Sequence, residues 1–238
     1  MEQLFGLCDA LYEMTQGILD VTTLPLMKIW NWKADAPRIP SDSEIVAARR
    51  LVGWKKVQRV PGRVFLPEKG MALDFGGFGK EYAVDVVAQI ALDHEIDDVL
   101  VDFGHDIRAL GTPPGRPAWH VGLEDPQSPG KYSSSVALSG NRGIASSGDY
   151  VRSFTLNGKR YGHIIDPRTG WPVANGCSQS TIIASTCLQA GILSTTSFVL
   201  GVPLGIDLIQ SFPGVEGIML RDKSRAQTRG FYKYVVTG

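Results

Sequence analysis

The sequence has no surplus of charge of either sign: 24 Lys and Arg stand against 24 Asp and Glu over 238 residues. Proteins that bind nucleic acid usually carry a basic excess, so none is expected as a partner and any anion site must be local. Cysteine is scarce and odd in number. Cys8, Cys177 and Cys187 are widely spaced and give neither a disulfide framework nor a zinc pattern. Cys8 and Cys187 fall in apolar helical surroundings and read as small buried hydrophobes. No apolar run approaches the length of a transmembrane helix. The N-terminal stretch MEQLFGLCDALYEMT lacks a basic leader and carries Glu2 and Asp9, so it is no signal peptide, and the chain as written reads as cytoplasmic. Repeats, low-complexity segments and clear linkers are missing too.

What remains is an ordinary globular composition, 43% hydrophobic and 20% charged, long enough to bury a sizeable core. Leu4, Leu7, Cys8, Leu11 and Met14 follow helical spacing, with Gly17 as the stop. Trp30 and Trp32 read as packing residues in a loop that runs to Pro40. Ser41 to Glu44, SDSE, is a capping box that opens a helix ending near Gly53. WKKVQRV, PG and RVFL predict a hairpin, and MALDF a short strand. A glycine loop and helix follow over GGFGKEYAVDVVAQIALD, then a buried strand over DDVLVDFG and an extended DIRALG. Further strands are expected at Trp119–Leu123, Ser134–Leu138, Tyr150–Leu156, STIIAS, Gly217–Arg221 and Phe231–Val236. Asn157-Gly158 is a hairpin turn. Helices are expected over TCLQAGILSTTSFVLG and LGIDLIQ. Strands mostly follow strands, which favours an α+β fold with a mixed or mostly antiparallel sheet over a doubly wound one.

Five segments carry residues suited to chemistry. DFGGFGKEYAVD, Asp74 to Asp85, runs from glycines into a helix and reads equally as an anion cradle with Lys80 or as tight strand–helix packing. In VDFGHDIRALG, Gly104 and Asp106 follow a strand end, where ligands often bind, and His105 reads as a turn residue or a ligand. In GIASSGDYVRSF, Ser146, Ser147 and Gly148 can donate to phosphate oxygens, though alone they read better as a Ser-Gly turn before a strand. In RYGHIIDPRTGWP, His163 sits near a strand end and Asp166 at a turn with Pro167, a pairing that suits a general base. Gly191 and Thr195, one helical turn apart, form either a small-residue packing face or, through Thr195, an oxygen donor to a hard cation.

Together and in this order, the five segments resemble the ApbE-like flavin transferases (FAD:protein FMN transferases). The resemblance rests on Asp74, Gly76, Gly77, Lys80, Tyr82, Ala83 and Asp85; on Gly104, Asp106, Ile107 and Gly111; and on Ser147, Gly148, Asp149, Tyr150 and Arg152. It continues through His163, Ile165, Asp166, Pro167, Thr169, Gly170 and Pro172 to Leu193, Ser194 and Thr195, and TQGILDVTTLPLMKIW is similar to an earlier family segment. It implies an ApbE-like, T-fold-related α+β architecture, as a single domain over 1–238 that lacks the family's N-terminal portion. Residues 1–70 would be a helical and hairpin part and 71–238 the flavin- and metal-site core. It also implies transfer of FMN from FAD to a threonine or serine hydroxyl of an acceptor flavoprotein, with Mg²⁺ and release of AMP. His163 would be the base. Lys80, Asp85, Asp106, Ser147, Gly148 and Asp166 would surround FAD, and Gly79 (through its carbonyl) and Thr195 would hold magnesium.

Three residues depart from the family pattern. Gly191 stands where the family has a metal-binding aspartate, Glu81 replaces the glycine beside Lys80, and His105 replaces a glycine of the GGD motif. On this reading magnesium should bind poorly, since Thr195 and a carbonyl are neutral donors, unless another acid such as Asp166 takes over. Gly191→Asp should be tolerated by the helix and tighten it. The alternative reading is a catalytically weak or inactive relative that binds flavin or a protein partner. For the absent N-terminal portion, either the chain start is misplaced, the segment was removed, or a partner or a second copy supplies it. Family members are often periplasmic or lipid-anchored.

Overall fold

The computed structural model describes residues 2–221 and 224–236. In chain order the elements are α1 (Glu2–Met14), α2 (Leu24–Trp30), α3 (Asp42–Arg50), β1 (Gln58–Val60), β2 (Arg63–Phe65), α4 (Gly79–Asp93), β3 (Val99–Phe103), β4 (Asp106–Leu110), β5 (Trp119–Glu124), β6 (Tyr132–Leu138) and β7 (Arg142–Gly148). They continue as β8 (Ser153–Leu156), β9 (Lys159–Gly162), β10 (Ile165–Asp166), β11 (Trp171–Pro172), β12 (Cys177–Ala184), α5 (Cys187–Leu200), α6 (Val202–Gln210), β13 (Glu216–Arg221) and β14 (Ser224–Gln227). The chain divides into two compact units, residues 1–77 with 152–174, and residues 78–151 with 175–238.

The second unit is built on a six-stranded sheet in the order β14-β13-β12-β7-β4-β3. Every strand pairing among the described residues is antiparallel, as the run of consecutive strands leads one to expect. Alternation decides which face each side chain takes. Ile107, Ala109, Ile144 and Ile183 pack with Leu123, Val136 and Leu138 of the β5–β6 hairpin and with Phe231. Val101 and Leu110 pack on the other face against Val84 and Ala88 of α4 and Cys187 of α5. Covered on both sides, β4 is buried at all five positions. By contrast β3, expected to be a buried strand, is exposed at Asp102 and Phe103 because it is the sheet edge.

The first unit holds a smaller core of Trp30, Ile45, Phe154 and Tyr161. Trp30 stacks on Tyr161 at 5.7 Å, meets Trp171 edge-on at 5.1 Å and donates its indole N–H to the Gly170 carbonyl at 2.8 Å. The Ser41 capping box forms as written, with Glu44 closing it. Asn157 and Gly158 take φ of 51° and 73° in the β8–β9 turn, the left-handed pair that a tight hairpin demands.

Four expectations fail. MALDF is not a strand. Its Asp74 side chain accepts from the Gly76 amide at 2.6 Å, and this local turn competes with pairing. Phe231–Lys233 forms a 3₁₀ turn, and only a single bridge from Val235 to Val136 survives of the strand expected at Phe231–Val236. Trp30 ends a helix, α2, begun by a proline in its first turn, instead of lying in a loop. Residues 142–148 form a full strand, β7, rather than a Ser-Gly turn.

Candidate active site

The second unit brings most of the singled-out residues together. β7 runs between β4 and β12, and its residues alternate between the two faces of the sheet. On the helix side, Ser147 Oγ lies 2.9 Å from Thr195 Oγ1 and 2.8 Å from Ser194 Oγ. Ser194 Oγ also donates to the Gly191 carbonyl at 3.0 Å. α5 is buried at Ile192, Leu193, Ser194, Thr196 and Ser197, while Thr195 is only half-buried. A row of hydroxyl oxygens thus follows one strand and one helix face.

The α4 N-terminus supplies the charges. Phe78 caps the helix without a side-chain hydrogen bond, after the exposed Gly76 and Gly77. Lys80 in the first turn pairs with Asp106 at the start of β4. Burial raises the Asp106 carboxyl above its ordinary value, and Lys80 pulls it back down. Glu81, next in the turn, is 7% exposed. Its carboxyl is pushed up to about 7, chiefly by burial and then by Asp106. Its Oε2 has no hydrogen-bond partner. A Cβ added at Gly191 would lie 2.6 Å from Glu81 Cγ and 2.9 Å from Glu81 Oε1. Glu81 therefore fills the space that Gly191 leaves, and an aspartate at 191 would have to displace the Glu81 side chain.

Asp85, expected beside FAD, has a structural task. Its two carboxylate oxygens accept from the Cys187 and Leu188 amides at 2.9 and 2.8 Å and so cap α5, and Oδ1 also accepts from Arg108 Nη1 at 3.1 Å. Asp85→Ala should cost about 2–3 kcal/mol, because it removes a helix cap and strands a mostly buried guanidinium. The urea midpoint of the variant checks this. His105 is an exposed turn residue with φ 75°, following Gly104 at 64°, and its amide donates to Asp102 Oδ1. The departure from glycine there carries left-handed backbone strain.

His163 belongs to the first unit. It follows β9 directly, and its amide donates to the Arg152 carbonyl at 2.9 Å, which extends the β8–β9 pairing. The ring is half-buried and tilted against Trp32 at 6.2 Å. Asp166 is held by its own loop. Arg168 Nε and Nη2 reach its carboxylate at 2.9 and 2.7 Å, and its carbonyl accepts from the Thr169 and Gly170 amides. Asp166 is thus engaged by Arg168, which weighs against its use as a replacement metal ligand.

The profile of the ApbE family matches residues 1–219. The chain belongs to the ApbE family. Its curated relatives include the FAD:protein FMN transferase of Treponema pallidum, 32% identical over 230 residues, which are 90% of this chain and 64% of that protein. The FAD:protein FMN transferase of Vibrio cholerae is 31% identical over 203 residues, 83% of this chain and 60% of that one. The chain therefore spans less than two thirds of the length of these relatives. The crystal structure of the ApbE protein of Thermotoga maritima superposes with a TM-score of 0.87 at 31% identity, over 99% of this chain and 77% of that one. The apo flavinyl transferase ApbE of Pseudomonas stutzeri gives 0.84 at 27%, over 100% and 75%. The ApbE-like α+β architecture expected from the sequence is the one observed.

Among the described residues no group of three or more His, Cys, Asp or Glu side chains is arranged to hold a metal. Hydroxyl, carbonyl and carboxylate oxygens suit a hard cation such as magnesium, which keeps several waters. No helix of the described residues is long and apolar enough to cross a membrane.

Sequence reasoning assigned no role to Ser194 or Arg108. The LST triplet pointed to the first. Nothing in the spacing pointed to the second, whose partner lies on another element.

Proposed function

We propose that the chain transfers the FMN moiety of FAD to a threonine or serine hydroxyl of an acceptor flavoprotein. The observation that carries this reading is the cluster at the α4 N-terminus, where Lys80, Glu81 and Asp106 stand with the Ser147–Ser194–Thr195 oxygens in a chain of the ApbE family. Helix N-terminal amides and a lysine suit a diphosphate. Lys80, Asp106, Ser147, Gly148 and Asp166 are assigned to holding FAD, and Asp85 to setting α5 in place. Gly79, through its carbonyl, and Thr195 are assigned to magnesium, which would neutralise diphosphate charge.

His163 takes the proton of the acceptor hydroxyl. The hydroxyl oxygen attacks the phosphorus of the FMN half, the new O–P bond forms, the P–O–P bridge breaks and AMP leaves with the bridging oxygen. Lys80 and the helix amides counter charge on the departing phosphate.

Two measurements test this. Titration with FAD should give a saturable change in flavin fluorescence, and a flat titration ends the reading. Incubation with FAD, magnesium and a threonine-bearing acceptor should give covalent FMN on the acceptor and an equal amount of AMP. FAD binding without either product would favour the inactive alternative.

A further inference from the structure

Glu81 is a costly residue as it stands. A carboxylate 7% exposed, with Oε2 unpartnered, loses hydration and gains little in return. Lys80 is its neighbour in sequence but pairs with Asp106. Arg108 reaches Asp85. Neither cation forms an ion pair with Glu81, and the attraction of Lys80 and the positive field of the α4 first turn offset only part of the cost. The side chain lies hard against Gly191. Its Cγ, Cδ and Oε1 occupy the position where any residue larger than glycine at 191 would put its Cβ. Gly191 lies about one helical turn, four residues or about 6 Å along the axis, before Thr195 and on the same face. Thr195 Oγ1 in turn contacts Ser147. A buried acid with an unshared lone pair stands against Gly191, and the Thr195 and Ser147 hydroxyls stand one helical turn farther along, a set of oxygens short of one positive charge.

We infer that Glu81 is the anionic ligand of a divalent hard cation, reaching from α4 into the niche left by Gly191 to share the ion with Thr195. The inference rests on the assignment of this cluster to the FAD diphosphate. It accounts for both departures at once, since the acid absent from α5 is provided by α4, and the cation supplies the charge that Glu81 lacks. It reverses the expectation of weak magnesium binding.

The test uses the full chain and Mn²⁺ as the probe, read by the loss of the free Mn²⁺ signal in electron paramagnetic resonance, with and without FAD. Parent protein should bind Mn²⁺, and added Mg²⁺ should compete. Glu81→Gln keeps the shape and removes the charge, and it should weaken Mn²⁺ by at least about tenfold, the lower end for loss of even an outer-shell partner. Gly191→Asp alone should not tighten binding, because it displaces Glu81. The exchange of both, Glu81→Gly with Gly191→Asp, should restore affinity to within a few-fold of parent. Circular dichroism and urea midpoints of each variant confirm folding. Equal Mn²⁺ affinity in parent and Glu81→Gln overturns the inference, as does a parent that binds no Mn²⁺. FAD fluorescence titration and the transfer assay run beside these measurements. Loss of FAD binding or transfer with metal binding intact would sink the functional reading instead.

Discussion

Gly143→Ala should unfold this protein more readily than any other single methyl addition in the sheet. A Cβ at Gly143 would sit 2.2 Å from the Cys187 amide nitrogen and 2.4 Å from the Thr186 carbonyl oxygen. These are backbone atoms at the capped start of α5 and cannot rotate aside as a side-chain tip can. β7 is pinned between β12 and β4, so it cannot retreat either. Overpacking typically costs about 1–3 kcal/mol, and with backbone on both sides the loss should exceed that, at about 4 kcal/mol. That is a large share of the ~5–15 kcal/mol that stabilises a typical domain. With a urea slope of about 1–3 kcal/mol/M, the midpoint should fall by more than about 1 M. The same substitution at Gly6, exposed in α1 with nothing within 4 Å, should stabilise by about 0.5–1 kcal/mol and move the midpoint slightly upward. A Gly143→Ala midpoint indistinguishable from parent would show that α5 is not seated on β7 as described.

The second large effect is on rate. On the proposed function, with His163 as the base, His163→Ala should slow FMN transfer by roughly 10²–10⁴-fold while FAD affinity stays near parent, because a general base acts in the transition state and not on bound FAD. The β8–β9 pairing should survive, since the His163 amide that extends it is kept in the variant. Added imidazole should restore part of the rate in the variant, a recovery that a merely structural role would not show. An unchanged rate removes His163 from the mechanism.

The local signals were legible because their physics is local. SDSE satisfies its own helix start, and Asn157-Gly158 supplies two left-handed residues where a tight hairpin needs them. The glycine-to-helix transition at Gly79 and the helix through Thr195 were equally plain. β7 was misread because Ser-Ser-Gly is turn-like in composition, and only the pairing with β4 and β12 makes it a strand. β3 looked buried because its apolar run says nothing of its place at the edge. In the candidate site the residue types were visible, but two relations were not. Asp85 serves Cys187 and Leu188 on a distant helix. Gly191 and Glu81 looked like two separate departures from a pattern until one was found filling the other's space.

The first unit is assembled from two stretches of chain, 1–77 and 152–174. During synthesis, Trp30 and Ile45 leave the ribosome long before Phe154 and Tyr161, their core partners, exist. At ~5–20 residues/s the wait lasts several seconds or more, far longer than collapse of a small chain takes. Throughout that interval the nascent unit lacks Phe154 and Tyr161, with only Ile29, Trp32, Ile39 and Ile45 of its own stretch beside Trp30, while residues 78–151 emerge between its halves. A cell making this protein should therefore depend on a holding chaperone at that stage. Ribosome-bound chains halted before residue 152 should be cut by protease within residues 1–77, and chains halted well beyond residue 174 should resist.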